Sequence, residues 1–472
     1  MNRSAGVLMP LTMLHGPFGI GVMGAEAMDF IDFLHKSGFQ AWQMLPVEHI
    51  GDCFSPYKAR SAFAGEPMLI DPRGLFELGL ISETELAERG AGLCADAVDY
   101  PLVRERQWAL LRIAFSRLHD QPYADFQPFW LEEYARYMSA LTGDETAFFQ
   151  FVQWLFDLQW RTLKSYAAER DIALIGDIPI YVSEDSVEVQ SHPALFERNP
   201  DGTLPAVGGA PPDYFNPDGQ RWGNPVYNWE QMQADGYQWW IKRLGETLSR
   251  FDLVRLDHFR GFDRYWRIPA DCSDGKGGQW TKGPGMELFA ALEEALGSLP
   301  VFAEDLGTID AGVETLLTET GFPGVRVLQF GFDDEDGRHL PHNYPPHSVA
   351  YTGTHDNTTL LAWMFEMRPQ EREKALFYLG FTGDWTVGGT DSPINRAWIR
   401  ALYMSPATLV IVPIQDLLGY GADTRTNIPG TAEGNWRFRV RGGALEQIDS
   451  GFYAALSRIS GRGRSDEYTM KE

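Results

Sequence analysis

The sequence predicts an α/β fold, a (β/α)₈ TIM barrel with insertions in its loops. The first observation is a set of eight short apolar runs, rich in Val, Ile, Leu and aromatic residues, of the kind that forms buried parallel strands. The second is that amphipathic or irregular segments separate these runs; strand–helix alternation favours a parallel sheet, and eight strands can close into a barrel. The runs lie near residues 6–10, 41–46, 172–177, 252–257, 301–304, 325–330, 349–353 and 408–413.

Helical segments follow several of these runs. Residues 26–36 place apolar side chains at helical spacing and stop before Gly38. Residues 231–248, 286–296 and 310–319 occupy equivalent places later in the chain. We expect these segments to form helices around the barrel.

The alternation is first interrupted between the second and third strands. We expect a single catalytic barrel domain over residues 1–472, with residues 47–171 as a mostly helical insertion. Within it, Ser82 and Glu85 fit a capping box, and residues 144–170 are predicted to form one long helix.

A second insertion is predicted at residues 183–250, between the third and fourth strands. It contains a Gly/Pro-rich passage, which we interpret as a loop over residues 208–215. Loops that follow barrel strands lie on the active-site face, so both insertions are expected there.

The composition is that of a soluble globular protein with a sizeable core, 44% hydrophobic and 22% charged. The length of 472 residues would also fit two or three mid-sized domains. A formal net charge of −25 disfavours nucleic acid and anionic membranes as partners. Three cysteines without C-x-x-C spacing, together with the lack of a signal peptide or a long apolar stretch, predict a cytoplasmic protein.

Four of the predicted strands lead into an acid: Asp177, Asp257, Glu304 and Asp356. Because the carboxyl ends of barrel strands converge on one pocket, we expect these four carboxylates to meet there. The alternative is that each acid caps the helix that follows it, which is common for a single Asp. Four acids at equivalent positions favour a shared site.

Two of these acids have surroundings that suit different tasks. Side chains alternate along a strand, so Arg255 and Asp257 should both point into the barrel. An arginine beside a carboxylate favours its ionised form, as a nucleophile requires, although a buried structural ion pair would look the same. Glu304 follows three apolar residues, and partial desolvation suits a general acid that must hold its proton. One ionised and one protonated carboxyl group are what retaining glycosyl transfer needs.

Motifs for other chemistries do not occur in the sequence. It has no G-x-x-x-x-G-K-[ST], no strand-linked dinucleotide fingerprint, no H-E-x-x-H and no G-x-S-x-G. His258, His355 and the nearby acids match no metal-ligand spacing, so metal catalysis is disfavoured.

The acids belong to motifs that follow one another along nearly the whole chain. These are Gly6-Val7-Leu8-Met9-Pro10, Ser55-Pro56-Tyr57, Ile175-Gly176-Asp177-Ile178-Pro179, Pro211-Pro212-Asp213-Tyr214-Phe215, Gly219-Gln220-Arg221-Trp222-Gly223, Arg255-Leu256-Asp257-His258-Phe259, Ala303-Glu304-Asp305-Leu306-Gly307, Gly353-Thr354-His355-Asp356-Asn357 and Asn427-Ile428-Pro429-Gly430. In these motifs the sequence closely resembles the 4-α-glucanotransferases of the amylomaltase (disproportionating enzyme) family, relatives of the α-amylases.

The resemblance implies a retaining transferase that moves α-1,4-glucan segments between maltodextrins through a covalent glucosyl intermediate. It implies that Asp257 is the nucleophile, Glu304 the acid/base and Asp356 a third acid that binds sugar hydroxyls. Positions that match substrate-binding residues of the family are Tyr57, Asp177, Gly208, Asp213, Tyr214, Trp222, Arg255, His258, Phe330 and His355. In relatives, the loop at 208–215 covers the site, and Phe330 matches an aromatic near the cleavage point.

The resemblance also sets expectations about partners. We expect maltodextrins and other α-1,4-glucans as donor and acceptor, no metal or organic cofactor, and a monomer or weak homo-oligomer. An amylase-type hydrolase would use the same carboxylates and stays open as the alternative. A protein that binds glucan without turnover is disfavoured because all three acids are present.

One departure from the family concerns a second glucan site. Asp52, Cys53 and Phe54 stand where many relatives carry a tyrosine-containing loop, while Tyr100 matches the other aromatic residue of that site. We therefore expect the second site, and large-ring cyclisation with it, to be weakened in this chain.

Overall fold

The computed structural model describes residues 3–212, 216–332 and 337–463, and its centre is a closed parallel barrel. The strands are β1 Ser4–Leu8, β2 Ala41–Gln43, β3 Ala173–Ile178, β4 Ala206–Ala210, β5 Gln220–Pro225, β6 Leu253–Leu256, β7 Arg264–Pro269, β8 Gln279–Lys282, β9 Val301–Ala303, β10 Gly324–Val327, β11 Ser348–Tyr351 and β12 Leu409–Pro413. The barrel order is β1-β12-β11-β10-β9-β6-β3-β2. Each of the eight predicted runs coincides with one of these barrel strands, and the predicted (β/α)₈ fold is confirmed.

Barrel strands are continuous apolar runs because both of their faces are buried. On β6, Leu253 packs in the barrel interior with Ile175, Phe302 and Val325. Its neighbour Val254 belongs to the outer core, which lies between the barrel and the helices. This alternation directs Arg255 into the barrel, as predicted from the strand period.

Helices surround the barrel. They are α1 Ala25–Lys36, α2 Pro72–Glu77, α3 Glu83–Gly90, α4 Tyr100–Ser116, α5 Leu131–Thr142, α6 Thr146–Ala168, α7 Val187–Ser191, α8 Trp229–Ala234, α9 Gln238–Arg250, α10 Arg260–Asp263, α11 Met286–Leu296, α12 Ala311–Thr320, α13 Leu360–Glu366, α14 Pro369–Leu379, α15 Pro393–Met404, α16 Ile414–Leu418 and α17 Ser450–Ile459. Neighbouring contacts link α17, α1, α6, α9, α11 and α12 around the outside. Within the described part of the chain, no helix combines the length and apolar character needed to cross a membrane.

Most predicted helices agree with the structure, and one does not. The segments at 26–36, 286–296 and 310–319 correspond to α1, α11 and α12. The segment at 231–248 was expected to be one helix, but it is divided into α8 and α9. Gly236 and Tyr237 both adopt left-handed backbone angles, with φ of 70° and 58°, and this turn ends α8 before α9 begins.

The chain between β2 and β3 forms five helices, α2 to α6. Ser82 and Glu85 make the expected capping box at the start of α3. The predicted long helix at 144–170 is α6, which packs against α1 and β3. Whether residues 47–171 and 183–250 behave as insertions into one catalytic domain stays a prediction.

A small antiparallel sheet, in the order β5-β4-β7-β8, accompanies the barrel. The prediction of a loop starting at Gly208 is wrong, because Gly208 and Gly209 lie in β4 and pair with β7. These glycines are required for close packing and not for unusual backbone angles. A Cβ atom on Gly208 would lie 2.6 Å from the Tyr181 ring, and one on Gly209 would lie 2.1 Å from the Gln220 carbonyl oxygen.

Candidate active site

Arg255 connects the carboxylates at the carboxyl end of the barrel. Its Nη1 lies 2.9 Å from Oδ2 of Asp177 and 2.8 Å from Oδ1 of Asp257, while Nη2 lies 3.9 Å from Oε2 of Glu304. Asp177 is fully buried on β3, whereas Asp257, directly after β6, keeps part of its side chain accessible. Three of the four acids predicted to converge are therefore gathered around Arg255, and Asp257 is the one of the three most open to a ligand.

Glu304 follows β9 and lies in a buried position. Its Oε2 accepts a hydrogen bond from the His258 backbone N–H at 2.8 Å, and its Oε1 accepts one from the Leu306 N–H at 2.9 Å. Burial raises the pKa of Glu304 to about 8, with Arg255 opposing the shift and Asp257 adding to it. A carboxyl group in this state holds its proton near neutral pH, as expected from the apolar run before it.

Tyr57 joins Asp177 to the His355–Asp356 pair. Its hydroxyl donates to Oδ2 of Asp177 at 2.6 Å and lies 2.9 Å from Nε2 of His355. Burial raises the pKa of Tyr57 well above its usual range, so the hydroxyl stays protonated. The Tyr57 hydroxyl therefore bridges Asp177 and the His355 imidazole.

Asp356 lies at the far end of this chain of contacts. Its Oδ1 lies 3.4 Å from Nε2 of His355 and accepts a hydrogen bond from Nδ2 of Asn427 at 2.6 Å. Its backbone carbonyl accepts a hydrogen bond from Arg425. Since almost half of the Asp356 side chain is exposed, its second oxygen remains accessible to a ligand.

An aromatic pair lines another side of the site. The Trp222 ring on β5 meets the His258 ring edge-on, with centroids 4.9 Å apart. Burial lowers the pKa of His258 to about 4, so its imidazole is neutral at neutral pH. Within the described residues, Nε2 of His258 is buried and has no hydrogen-bond partner. The site therefore holds a neutral, enclosed imidazole next to Asp257 in the chain.

The remaining predicted binding residues are Phe330, Gly208, Asp213 and Tyr214. Phe330 packs at the top of the barrel core together with Tyr57 and Trp436. Gly208 lies against the ring of Tyr181. Asp213 and Tyr214 lie outside the described residues.

Two residues at the site were missed from the sequence. Trp436 has a left-handed backbone, with φ of 65°, and its ring lies 5.8 Å from Tyr57 and 5.9 Å from His355. No local pattern pointed to it. Asn427, the partner of Asp356, belongs to a recognised motif, Asn427-Ile428-Pro429-Gly430, which could have suggested it.

The arrangement favours acid–base chemistry carried by side chains. One carboxylate, Asp257, is in contact with a guanidinium group, and a second, Glu304, is buried with a raised pKa. A buried carboxyl group with a raised pKa next to a second, more accessible carboxyl group is typical of an acid/base site. Over the described ranges, no group of three or more His, Cys, Asp or Glu side chains is arranged to hold a metal ion.

Comparison with known proteins agrees with this geometry. The sequence profile described as 4-alpha-glucanotransferase matches residues 9–146 and 139–446. A 4-alpha-glucanotransferase of Thermus thermophilus is 41% identical over 506 residues, covering 98% of this chain and 99% of the relative. That of Synechocystis sp. is 38% identical over 504 residues, covering 98% of each chain. The amylomaltase of Streptococcus agalactiae, solved in complex with acarbose, superposes with a TM-score of 0.93 at 35% identity, covering 98% of this chain and 100% of that one. The chain therefore belongs to the 4-α-glucanotransferase family, whose members act on α-1,4-glucans.

Proposed function

We propose that this 4-α-glucanotransferase works by double displacement, with Asp257 as nucleophile and Glu304 as acid/base. The observation that carries the proposal is the contrast between the two carboxyl groups around Arg255. Asp257 is partly exposed and 2.8 Å from the guanidinium, while Glu304 is buried and has a pKa raised to about 8. Retaining glycosyl transfer needs one group of each kind on either side of the reacting bond.

In the first step, an Asp257 carboxylate oxygen attacks the anomeric carbon of the donor sugar. The bond from that carbon to the glycosidic oxygen breaks, and Glu304 gives its proton to this oxygen, which leaves as a 4-hydroxyl group. The products are a glucosyl ester on Asp257 and an ionised Glu304.

In the second step, the ionised Glu304 removes a proton from the 4-hydroxyl group of an acceptor glucan. The acceptor oxygen attacks the anomeric carbon, the ester bond to Asp257 breaks, and both carboxyl groups return to their starting state. Two inversions at one carbon retain the α configuration.

The other polar groups are proposed to bind the donor sugar. Tyr57 and His355 offer stacked rings, with centroids 5.2 Å apart, that suit the apolar face of a glucose ring. Asp177, Arg255 and the accessible oxygen of Asp356 would hold sugar hydroxyls. Trp222, His258 and Phe330 would line the neighbouring positions.

A glycosyl fluoride donor tests the covalent step. Fluoride leaves with little protonation, so Glu304→Gln should still form the ester, but it lacks the base needed to release it. We expect the ester to accumulate and mass spectrometry to locate it on the peptide that contains Asp257. The matched control is the double variant Asp257→Asn/Glu304→Gln, which should remain unmodified. An ester on any other residue would contradict the assignment.

Product analysis distinguishes transfer from hydrolysis, since an amylase-type hydrolase would use the same carboxylates. Incubation with maltotriose should give glucose and a ladder of longer maltodextrins. Glucose and maltose without longer products would show that water and not sugar is the acceptor.

A further inference from the structure

The backbone of His258 has an unusual conformation at a functionally important place. Its φ is 53°, in the left-handed region, which is uncommon for any residue other than glycine, although asparagine, aspartate and histidine adopt it more often than the rest. His258 directly follows Asp257, in the turn that joins β6 to α10. Backbone strain of this kind persists where the surrounding contacts require it, and it is often found at functional sites.

Three of the hydrogen bonds that hold this turn involve Glu304. The Glu304 N–H donates to the Leu256 carbonyl at 3.0 Å, and the Phe259 N–H donates to the Glu304 carbonyl at 3.1 Å. Between these, the His258 N–H donates to Oε2 of Glu304 at 2.8 Å. The turn thus directs two successive amides at one residue, that of His258 at the carboxyl group and that of Phe259 at the backbone carbonyl oxygen.

We propose that the left-handed backbone of His258 positions the carboxyl group of Glu304 and holds the alkaline limit of activity below the value that burial alone would give. This function resides in the backbone amide and is separate from any contact of the imidazole with substrate. The inference rests on the proposed function, in which Glu304 is the proton donor.

The imidazole itself is held by different contacts. Its ring packs edge-on against Trp222, and burial keeps it neutral. Replacing the ring therefore removes no charge near Glu304. A substitution at position 258 changes the Glu304 contact only if it changes the backbone angle.

The direction of the effect follows from the chemistry of the amide. An N–H group can only donate, so it stabilises the ionised carboxylate that the second step requires. Titratable and charged groups that face Glu304 are Arg255, Asp257 and His258 from β6 and its turn, and Tyr351 from β11. Arg255 and the two amides of His258 and Leu306 oppose the effect of burial on its pKa. Losing one amide should raise the pKa of Glu304 further.

Three variants separate the backbone from the ring. His258→Asn and His258→Gly remove the imidazole but tolerate the left-handed conformation, whereas His258→Val removes it and strongly disfavours that conformation. The measurement is kcat/KM for maltotriose against pH. The alkaline limit should be the same in the Asn and Gly variants. In the Val variant it should move upward by about one pH unit, because each backbone amide that donates to a carboxylate lowers its pKa by about that much.

The outcomes are distinguishable. Equal alkaline limits for His258→Val and His258→Asn would overturn the inference. If His258→Val does not fold, His258→Ala, which disfavours the conformation less severely, should show a smaller shift in the same direction, and no shift would overturn the inference equally. The assignment of Glu304 is tested separately, because the rate of ester formation by Glu304→Gln from a glycosyl fluoride should show no alkaline limit. If that limit persists, the proposed function fails instead.

Discussion

A single guanidinium group, that of Arg255, faces three carboxyl groups at the centre of the site. It is within 2.9 Å of Asp177 and Asp257 but 3.9 Å from Glu304. One positive charge cannot compensate three neighbouring negative charges, so a proton is retained by the buried acid that is least directly paired. That acid is Glu304, whose pKa is raised, while Asp257 stays in contact with the guanidinium group and partly accessible.

Asp257→Asn should abolish transfer while leaving the fold intact. The amide cannot form the glucosyl ester, and loss of a nucleophile costs a factor of about 10⁴ or more in rate. Activity on maltotriose and far-ultraviolet circular dichroism would be measured together. Asp252→Asn, on the same segment but away from the site, is the control and should remain within about twofold of the parent rate. Retention of a tenth of the activity by Asp257→Asn would refute the assignment.

At the scale of elements, the small sheet β5-β4-β7-β8 holds Trp222 against His258. Its strand β4 is paired on both edges, with β5 and with β7. The strands approach so closely that Gly209 has no room for a side chain. The close packing at Gly209 in β4 therefore helps to fix the position of Trp222 in β5.

Gly209→Ala should disrupt this connection. The new Cβ would lie 2.1 Å from a backbone oxygen and 2.4 Å from Ile268, so strands must shift. We expect the free energy of unfolding to fall by about 1–3 kcal/mol, as for other overpacked sites, and KM to rise.

Gly442→Ala is the matched control for that substitution. The nearest side-chain atom, on His15, is 3.8 Å from the added Cβ, so stability should change by less than about 0.5 kcal/mol. If chemical denaturation gives equal midpoints for the two variants, the close packing of β4 does not limit stability.

Helices and loops illustrate what a local pattern can and cannot predict. Segment 286–296 was predicted at its observed bounds because apolar spacing and its flanking glycines are local signals. The break at Gly236 and Tyr237 was missed, because the apolar spacing continues across it. Gly208 and Gly209 were interpreted as loop residues, since sequence does not distinguish a glycine needed for a turn from one needed for close packing.

At the scale of the whole molecule, the site depends on barrel closure. The strands could be predicted because burial on both faces leaves continuous apolar runs, and the acids because they follow those runs. Trp436 could not be predicted, since its contacts with Tyr57 and His355 exist only once distant segments meet. Asn427 approaches Asp356 for the same reason.

Because closure of the barrel buries Glu304, the site also lowers the free energy of unfolding of the whole protein. Burial raises the pKa of Glu304 from 4.5 to about 8, so between these pH values the folded chain keeps a proton that the unfolded chain releases. The free energy of unfolding therefore falls as pH rises through this window, by about 1.4 kcal/mol for each unit. Below pH 4.5 both states are protonated and the effect vanishes.

Glu304→Gln should remove this dependence, because the amide does not ionise. The variant should gain stability over the parent protein progressively from pH 5 to pH 8, reaching a few kcal/mol if the site unfolds with the rest of the chain. Calorimetry or denaturant unfolding at matched pH values measures the difference. The exposed residue Glu105, replaced by Gln, is the control and should show no such gain, because water solvates its carboxylate in both states. A stability difference that is constant across the window would mean that Glu304 is already ionised in the folded protein, and the proton donor would then have to be sought elsewhere.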